Sequence, residues 1–452
     1  MHQPMQLQFD QDIGRLQGYL PRFVAMIGVK AWDKRAAALV QQARGTAFQS
    51  YVIQRYHWLE LEIAHLRRWR RKAGGLSARM ESATSTSALQ FAAACVEVDQ
   101  NLTHRGRAEF RGRLRDALKS DCGFAPIYLE VLHAIGLSSH GFDIDLPDLE
   151  KNARFDVAGE RNGCVFAVEC KHVSADAGRR IHQKDFYRII DDLYDTLVPP
   201  GSTTAIPAVI LVTLDDRLSA ADSARRDLVR AIRQISVEPL GSKVRGTSFE
   251  VSKVSYAEHF GLEPITDQKL FQERAQKSFG ADCHAVTTAD RYAGLTIVMR
   301  SLVGDDHTKP QLDALKAAAR QLPSDRPAFV ALQFDDLDFS ELFYPHVAER
   351  LNVVANYFFA TRESCHIGAV LFSAYRPSMS VDPVNQWNPM VICWNPAFNE
   401  EWKVGLPFQG TIDPDVARSI SDATRPRIAS AAEFNRLPSS ASFRRRAARR
   451  RK

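Results

Sequence analysis

The chain has 452 residues, of which 45% are hydrophobic and 25% charged, with a formal net charge of +6. That length has room for two or three domains with real cores, and no apolar run is long enough to cross a bilayer. Seven cysteines, odd in number and without a Cys-x-x-Cys pair, argue against a disulfide framework or a structural zinc site and for a reducing, cytoplasmic setting. The first residues lack the charged and apolar regions of a signal peptide. No Gly-rich phosphate loop and no recognisable Ser or Cys nucleophile is present, so an ATP-driven motor is not expected.

The charge is unevenly spread. Residues 1–120 hold 19 Lys and Arg against 10 Asp and Glu, and the tail at 444–452 adds seven more basic residues. A balance of −10 is left for 121–443. Basic ends around an acidic middle suit a protein that meets a polyanion, because phosphate contacts supply affinity while carboxylates hold a cation. Such a tail also serves as a localisation signal or a non-specific anchor.

In chain order, 36–66 reads as a long helix ending in the basic cluster 67–72, where Trp69 could stack on a base. Residues 73–75 and 82–87 read as a linker. A basic helix over 105–119 carries Arg107, Arg111 and Arg115 at four-residue steps, a stripe that could guide a nucleic-acid strand or form a solvated face. Residues 124–136 read as a helix with Pro126 near its start and Gly136 at its end, and 141–146 as a strand.

The most informative stretch is 154–171, two short strands joined by Asn162-Gly163, the strongest short-range hairpin signal. With those residues as a two-residue type I′ loop, Arg161 faces Cys164 and Asp156 falls opposite Glu169. Alternation puts Phe155, Val157, Phe166, Val168 and Cys170 on an apolar face. Asp156, Ala158, Ala167, Glu169 and Lys171 take the other. Opposed carboxylates with β-carbons about 5 Å apart repel unless a cation lies between them, and Mg²⁺ takes such oxygen ligands. Lys171 projects from the same face, where an ammonium can orient or help deprotonate a water, or offset charge building on a phosphate. A solvated edge hairpin is the bland alternative. A Glu-x-Lys triplet alone carries little, and a second stands at Glu401-Trp402-Lys403 without a hairpin.

An acid on one strand followed by Glu-x-Lys on the next resembles the PD-(D/E)XK nuclease superfamily, over roughly 123–216. Its core order of helix, strands, helix and strand fits the helix at 124–136, the strands to 171, a helix over 179–197 and an apolar strand over 206–213. The resemblance implies Asp156 and Glu169 as metal ligands with the Cys170 carbonyl a third, and Lys171 as the catalytic lysine. It implies Glu130 as the helical glutamate near the metal, and Gln183 and Tyr187 as a Gln-x-x-x-Tyr element. Phe155-Asp156 departs from the Pro-Asp form. Solvent-reaching or core-edge roles are the plainer alternatives for Glu130, Gln183 and Tyr187. Asp143 and Asp145 read as the exposed face of their strand.

Beyond the core, strands over 295–299, 328–334 and 367–372 alternate with helices over 311–322 and 339–352, suggesting a partly parallel sheet. Composition from 411 onward predicts weak order. The expectation is therefore an α/β chain: a basic helical region (1–120), a restriction-endonuclease-like core of mixed sheet flanked by helices (121–216), an additional α/β domain (217–410) and a basic tail (411–452). The expected activity is hydrolysis of nucleic acid, DNA before RNA, with Mg²⁺ or Mn²⁺, in restriction or defence by analogy. A non-catalytic nucleic-acid-binding protein of similar fold is the alternative. No membrane partner is expected, and a homodimer is left open.

Overall fold

The structure, a computed structural model, describes residues 5–398 except 6, 8–12, 46, 74–82, 175, 198–207, 262–264, 266–267, 281, 288–294, 339–341, 343–344 and 377–389. The basic tail, Trp387 and the second Glu-x-Lys triplet lie outside the described residues.

The N-terminal region is helical: α1 (Ile13–Leu16), α2 (Tyr19–Ile27), α3 (Val29–Gln42), α4 (Ala47–Tyr56), α5 (Trp58–Ala73), α6 (Ala83–Asn101) and α7 (His104–Lys119). The single helix expected over 36–66 is thus three. Gly45 stands between α3 and α4, and the break before α5 falls at His57, whose Nδ1 lies 2.9 Å from Glu60 Oε1 in the first turn of α5. The linker expected at 82–87 is instead the start of α6, where the Ser85 hydroxyl donates to Glu62 Oε1 at 2.5 Å. The small buried side chains Ala88, Ala92, Ala93, Ala94 and Cys95 let neighbouring helices approach α6 closely.

Next come α8 (Ala125–Ser139), β1 (Asp143–Asp145), α9 (Pro147–Lys151), β2 (Val157–Arg161) and β3 (Cys164–Val173). Asn162 and Gly163 have φ of 53° and 76°, the paired left-handed conformation of a type I′ turn. The ladder runs from Arg161 opposite Cys164 to Val157 opposite Val168, the expected register. Phe155 is a correction: the chain bends through 154–156 before β2 begins, and its ring packs on the opposite side from Val157.

The chain continues through α10 (Gln183–Asp192), α11 (Tyr194–Leu197), β4 (Ala208–Leu214), α12 (Asp222–Val237), β5 (Lys243–Arg245), β6 (Phe249–Ser255), α13 (Tyr256–Phe260), α14 (Gln268–Phe279), β7 (His284–Thr287) and β8 (Leu295–Ser301). It closes with α15 (Thr308–Ala319), β9 (Ala328–Asp338), α16 (Pro345–Phe359), β10 (Ile367–Arg376) and β11 (Val391–Trp394).

Two mixed sheets result. One has six strands in the order β1-β2-β3-β9-β10-β11, and the other five in the order β5-β6-β4-β8-β7. The strand expected to complete the sheet beside β3 was 206–213, yet β4 pairs with β6 and β8 in the second sheet. The parallel partner of β3 is β9, with Glu169 opposite Val330 and Lys171 opposite Leu332. The strands expected as one C-terminal sheet are likewise divided, β8 joining the second sheet and β9 and β10 the first. An apolar run shows that a strand is buried on both faces without naming its neighbour.

The segment holding the second sheet leaves and rejoins the first at one place. The Asp306 N–H donates to the Gly178 carbonyl at 3.0 Å, and the Arg180 N–H donates to Asp305 Oδ1 at 2.6 Å. Gly178 has φ of 84°, and a Cβ there would collide with the Asp306 carbonyl, so this closure requires glycine. Residues 179–305 are therefore an insert whose ends meet.

Both faces of the six-stranded sheet are covered. Val157, Phe166, Val168, Phe329 and Leu371 pack under α8 and the N-terminal helices. Ala167, Val330, Leu332 and Phe372 pack under Leu315 and Ala318 of α15 and Leu351 and Phe358 of α16. The hairpin face expected to stand open for chemistry is open only at one end. Because the sheet needs β9 and β10, a fragment ending at residue 216 is expected to lack a cooperative thermal transition, while the full chain shows one; circular dichroism melts of the two decide it, and a cooperative fragment would contradict the pairing.

Candidate functional site

The site forms where α8, the bend before β2 and the middle of β3 converge. Asp156 ends the bend, and its Oδ2 accepts the Cys170 N–H at 2.7 Å, which holds the carboxylate against β3. Glu169 follows by register on the neighbouring strand and is only 1% exposed. Its Oε1 accepts from Lys171 Nζ at 2.5 Å, and its buried carboxyl is also hydrogen-bonded to that of Asp156. The Lys171 side chain is 26% exposed, so the ammonium sits between a buried carboxylate and solvent.

Glu130 reaches this point from α8, and Asp148 reaches it from the first turn of α9. Carboxylate oxygens of Glu130, Asp148 and Asp156 all lie within 4.8 Å of one another. Arg113 of α7 faces them, its Nη1 2.5 Å from Asp148 Oδ2 and 3.6 Å from Glu130 Oε2. Helix α9 is held there by Glu150, which accepts the Thr103 N–H at 2.7 Å and the Thr103 hydroxyl at 2.5 Å.

Crowding like charges in a poorly hydrated space disfavours ionisation. Burial, reinforced by Asp156, pushes the Glu169 carboxyl up to about 8. Burial likewise raises Asp156 to about 6, against the opposing bond from Cys170. Glu130 is pushed well above the usual carboxylate range by burial and then by Asp156. Among the described residues the cluster offers the carboxylate oxygens of Glu130, Asp148 and Asp156, the donor type that hard divalent cations take. With the buried Glu169 carboxyl against Asp156, these residues fit a Mg²⁺ or Mn²⁺ ion.

The structure thus brings Asp156, Glu169, Lys171 and Glu130 together. Cys170 meets Asp156 through its backbone N–H, and its buried thiol lies on the α8 side of the strand, pushed well above the usual thiol range by burial and then by Asp156, Glu130, Glu169 and Asp148. Tyr187 is placed elsewhere: α10 contributes Phe186, Ile189 and Ile190 to the core of the second sheet, and Tyr187 packs against that core, while Gln183 is the buried first residue of α10. The Gln183 N–H donates to Asp176 Oδ1 at 2.6 Å. Helical spacing marked a real helix but could not show which sheet it covers.

The expected basic stripe is also corrected in part. Arg111 forms a two-pronged pair with Asp99, both contacts 2.7 Å. Arg107 donates to the carbonyls of Asp99, Gln100 and Leu102 at the end of α6. Both residues fasten α7 to α6, and Arg115 is the exposed member of the three. Among the basic residues after Trp69, Arg70 donates to the Gln17 carbonyl at 3.2 Å, and Trp69 itself is 40% exposed. His172 turns to the other face of the sheet, with Nε2 3.3 Å from Asp335 Oδ2.

Asp148 and Arg113 escaped the sequence reading. An acid after Pro147 reads as an ordinary helix-opening residue that complements the dipole. Arg113 lies between Arg111 and Arg115 in sequence and points to a different side of α7. The dipeptide Pro147-Asp148 was the only local signal.

A carboxyl whose folded pKa exceeds its unfolded value binds more protons folded than unfolded between those two values. For Glu169 the interval runs from the ordinary 4.5 to about 8. Its stabilising contribution is therefore complete below the lower value and lost as pH rises through the upper one. Metal-free protein should lose a few kcal/mol, roughly one per pH step, across that interval. Glu169→Gln should flatten the dependence; chemical denaturation at a series of pH values checks it, and an unchanged slope would contradict the assignment.

Comparison with family models, with curated proteins and with solved structures gives no match, so the site is read from its own residues.

Proposed function

We propose that the chain is a metal-dependent nuclease that hydrolyses phosphodiester bonds of nucleic acid, with DNA as the favoured substrate. The observation that carries this reading is the convergence of Asp156, Glu169 and Glu130 beside Lys171 where α8 and the bend before β2 meet β3. A binding module has no need for acids crowded where each disfavours the ionisation of the next. The element order also supports it. With the insert and the five-residue α9 set aside, α8, β1, β2, β3, α15 and β9 run helix, three strands, helix, strand, in keeping with the order that the resemblance to PD-(D/E)XK nucleases implies.

Asp156, Glu169 and the Cys170 carbonyl would hold the ion, with Glu130 beside it. When bound, such an ion polarises a phosphoryl oxygen and stabilises the charge that develops there. Asp156 is oriented for this by the Cys170 N–H. Lys171 holds Glu169 Oε1 and presents its ammonium to solvent, where it can position a water for in-line attack and steady charge on the phosphate. The exposed Arg115, on the helix that also brings Arg113, offers a phosphate contact.

Single-stranded DNA, duplex DNA and RNA, each incubated with Mg²⁺ or Mn²⁺, test the proposal. Wild type should cleave at least one of them, and Lys171→Ala should lower the rate by about a hundredfold or more with folding intact. Absence of cleavage with every metal, or equal rates for the variant, would defeat the proposal. Persisting nucleic-acid binding would then favour a non-catalytic binding protein.

A further inference from the structure

Arg113 stands where a second cation would stand. Its guanidinium touches Asp148 and Glu130, whose carboxylate oxygens lie within 4.8 Å of those of Asp156. One turn back on α7, Glu109 Oε1 lies 3.6 Å from Arg113 Nε, so the head group is tethered from two sides. A guanidinium remains protonated at any working pH and forms directed bonds to carboxylates. It therefore cannot serve as an acid here and acts as a fixed positive charge. On the other side of Asp156 two carboxyls meet: Glu169 is buried, Lys171 holds its Oε1, and it is hydrogen-bonded to Asp156. The Glu130–Asp148 flank has its counter-ion in Arg113, whereas Asp156 and Glu169 share one ammonium that also faces solvent.

We propose that this centre takes a single divalent cation on its Asp156–Glu169 flank, because Arg113 occupies the Glu130–Asp148 flank as a built-in counter-ion. This rests on the metal-dependent reading above and adds the stoichiometry and the residue that sets it. Arg113 is a positioning residue: it keeps Glu130 and Asp148 from repelling Asp156 and aims them at the centre. Removing its charge leaves three neighbouring carboxylates that a second ion can bridge.

Mn²⁺ is titrated into the full chain, with calorimetry reading affinity and electron paramagnetic resonance counting free ions. Wild type should bind one ion, and Arg113→Gln two. The affinity of that second ion should rise by about a hundredfold or more over wild type. Arg113→Lys, which keeps a cation, should still bind one. Asp148→Asn should retain the single ion, since its carboxylate serves Arg113. If Arg113→Gln folds only when Mn²⁺ is supplied, the ion has replaced the arginine and the inference stands. If it fails to fold even in saturating Mn²⁺, the inference falls. Two ions in wild type, one ion at unchanged affinity in Arg113→Gln, or loss of the ion in Asp148→Asn would each overturn it. A wild-type chain that binds no Mn²⁺ would overturn the metal-dependent reading itself.

Discussion

Taking a carboxylate out of water is unfavourable unless a positive charge or hydrogen-bond donors meet it. This chain crowds Glu130, Asp148, Asp156 and Glu169 around one point, and much of its architecture serves that point. The Cys170 N–H meets Asp156, Lys171 meets one oxygen of Glu169, and Arg113 meets Asp148 and Glu130. Each donor comes from a different place in the fold, namely the backbone of β3, its side chains and helix α7. Glu169 and Asp156 meet each other besides, and burial of the two carboxyls raises both.

The position of that cluster follows from β3, which is paired on both edges and covered on both faces. Antiparallel pairing with β2 brings the bend that ends at Asp156 against Cys170 of β3, and parallel pairing with β9 seals the far edge. Parallel neighbours need a crossover connection, and here the chain first makes a separate five-stranded sheet before α15 and β9 complete the first. Closure at Gly178 and Asp306 makes this possible, because an insert whose ends meet perturbs its host little. Cluster and insert sit on the same stretch of chain, with β3 leading from one into the other.

Local features were legible where the physics is local. The Asn162-Gly163 turn and its register follow from left-handed turn residues and a strand period of two, and these came through unchanged, whereas Asp156 lies in the bend just past the ladder and meets β3 through the Cys170 N–H. Strands β4, β8, β9 and β10 were visible as apolar runs, and α8 and α15 as helical spacing. Their partners were not. The run at 206–213 looks as suitable a neighbour for β3 as the run at 328–334, since both are apolar on each face. The Arg107, Arg111 and Arg115 stripe read as a surface for phosphate, whereas two of its members close the gap between α6 and α7.

By itself, then, the order of residues determined the hairpin, the identity of the facing acids and the lysine beside them, because turn geometry and alternation act over a few residues. Only the tertiary structure decided that Asp148 and Arg113 join them, that α15 and β9 rather than α10 and β4 flank β3, and that Tyr187 belongs to another core. Those outcomes depend on contacts between segments far apart in the chain, where many pairings satisfy the same apolar pattern and the packing of the whole selects one.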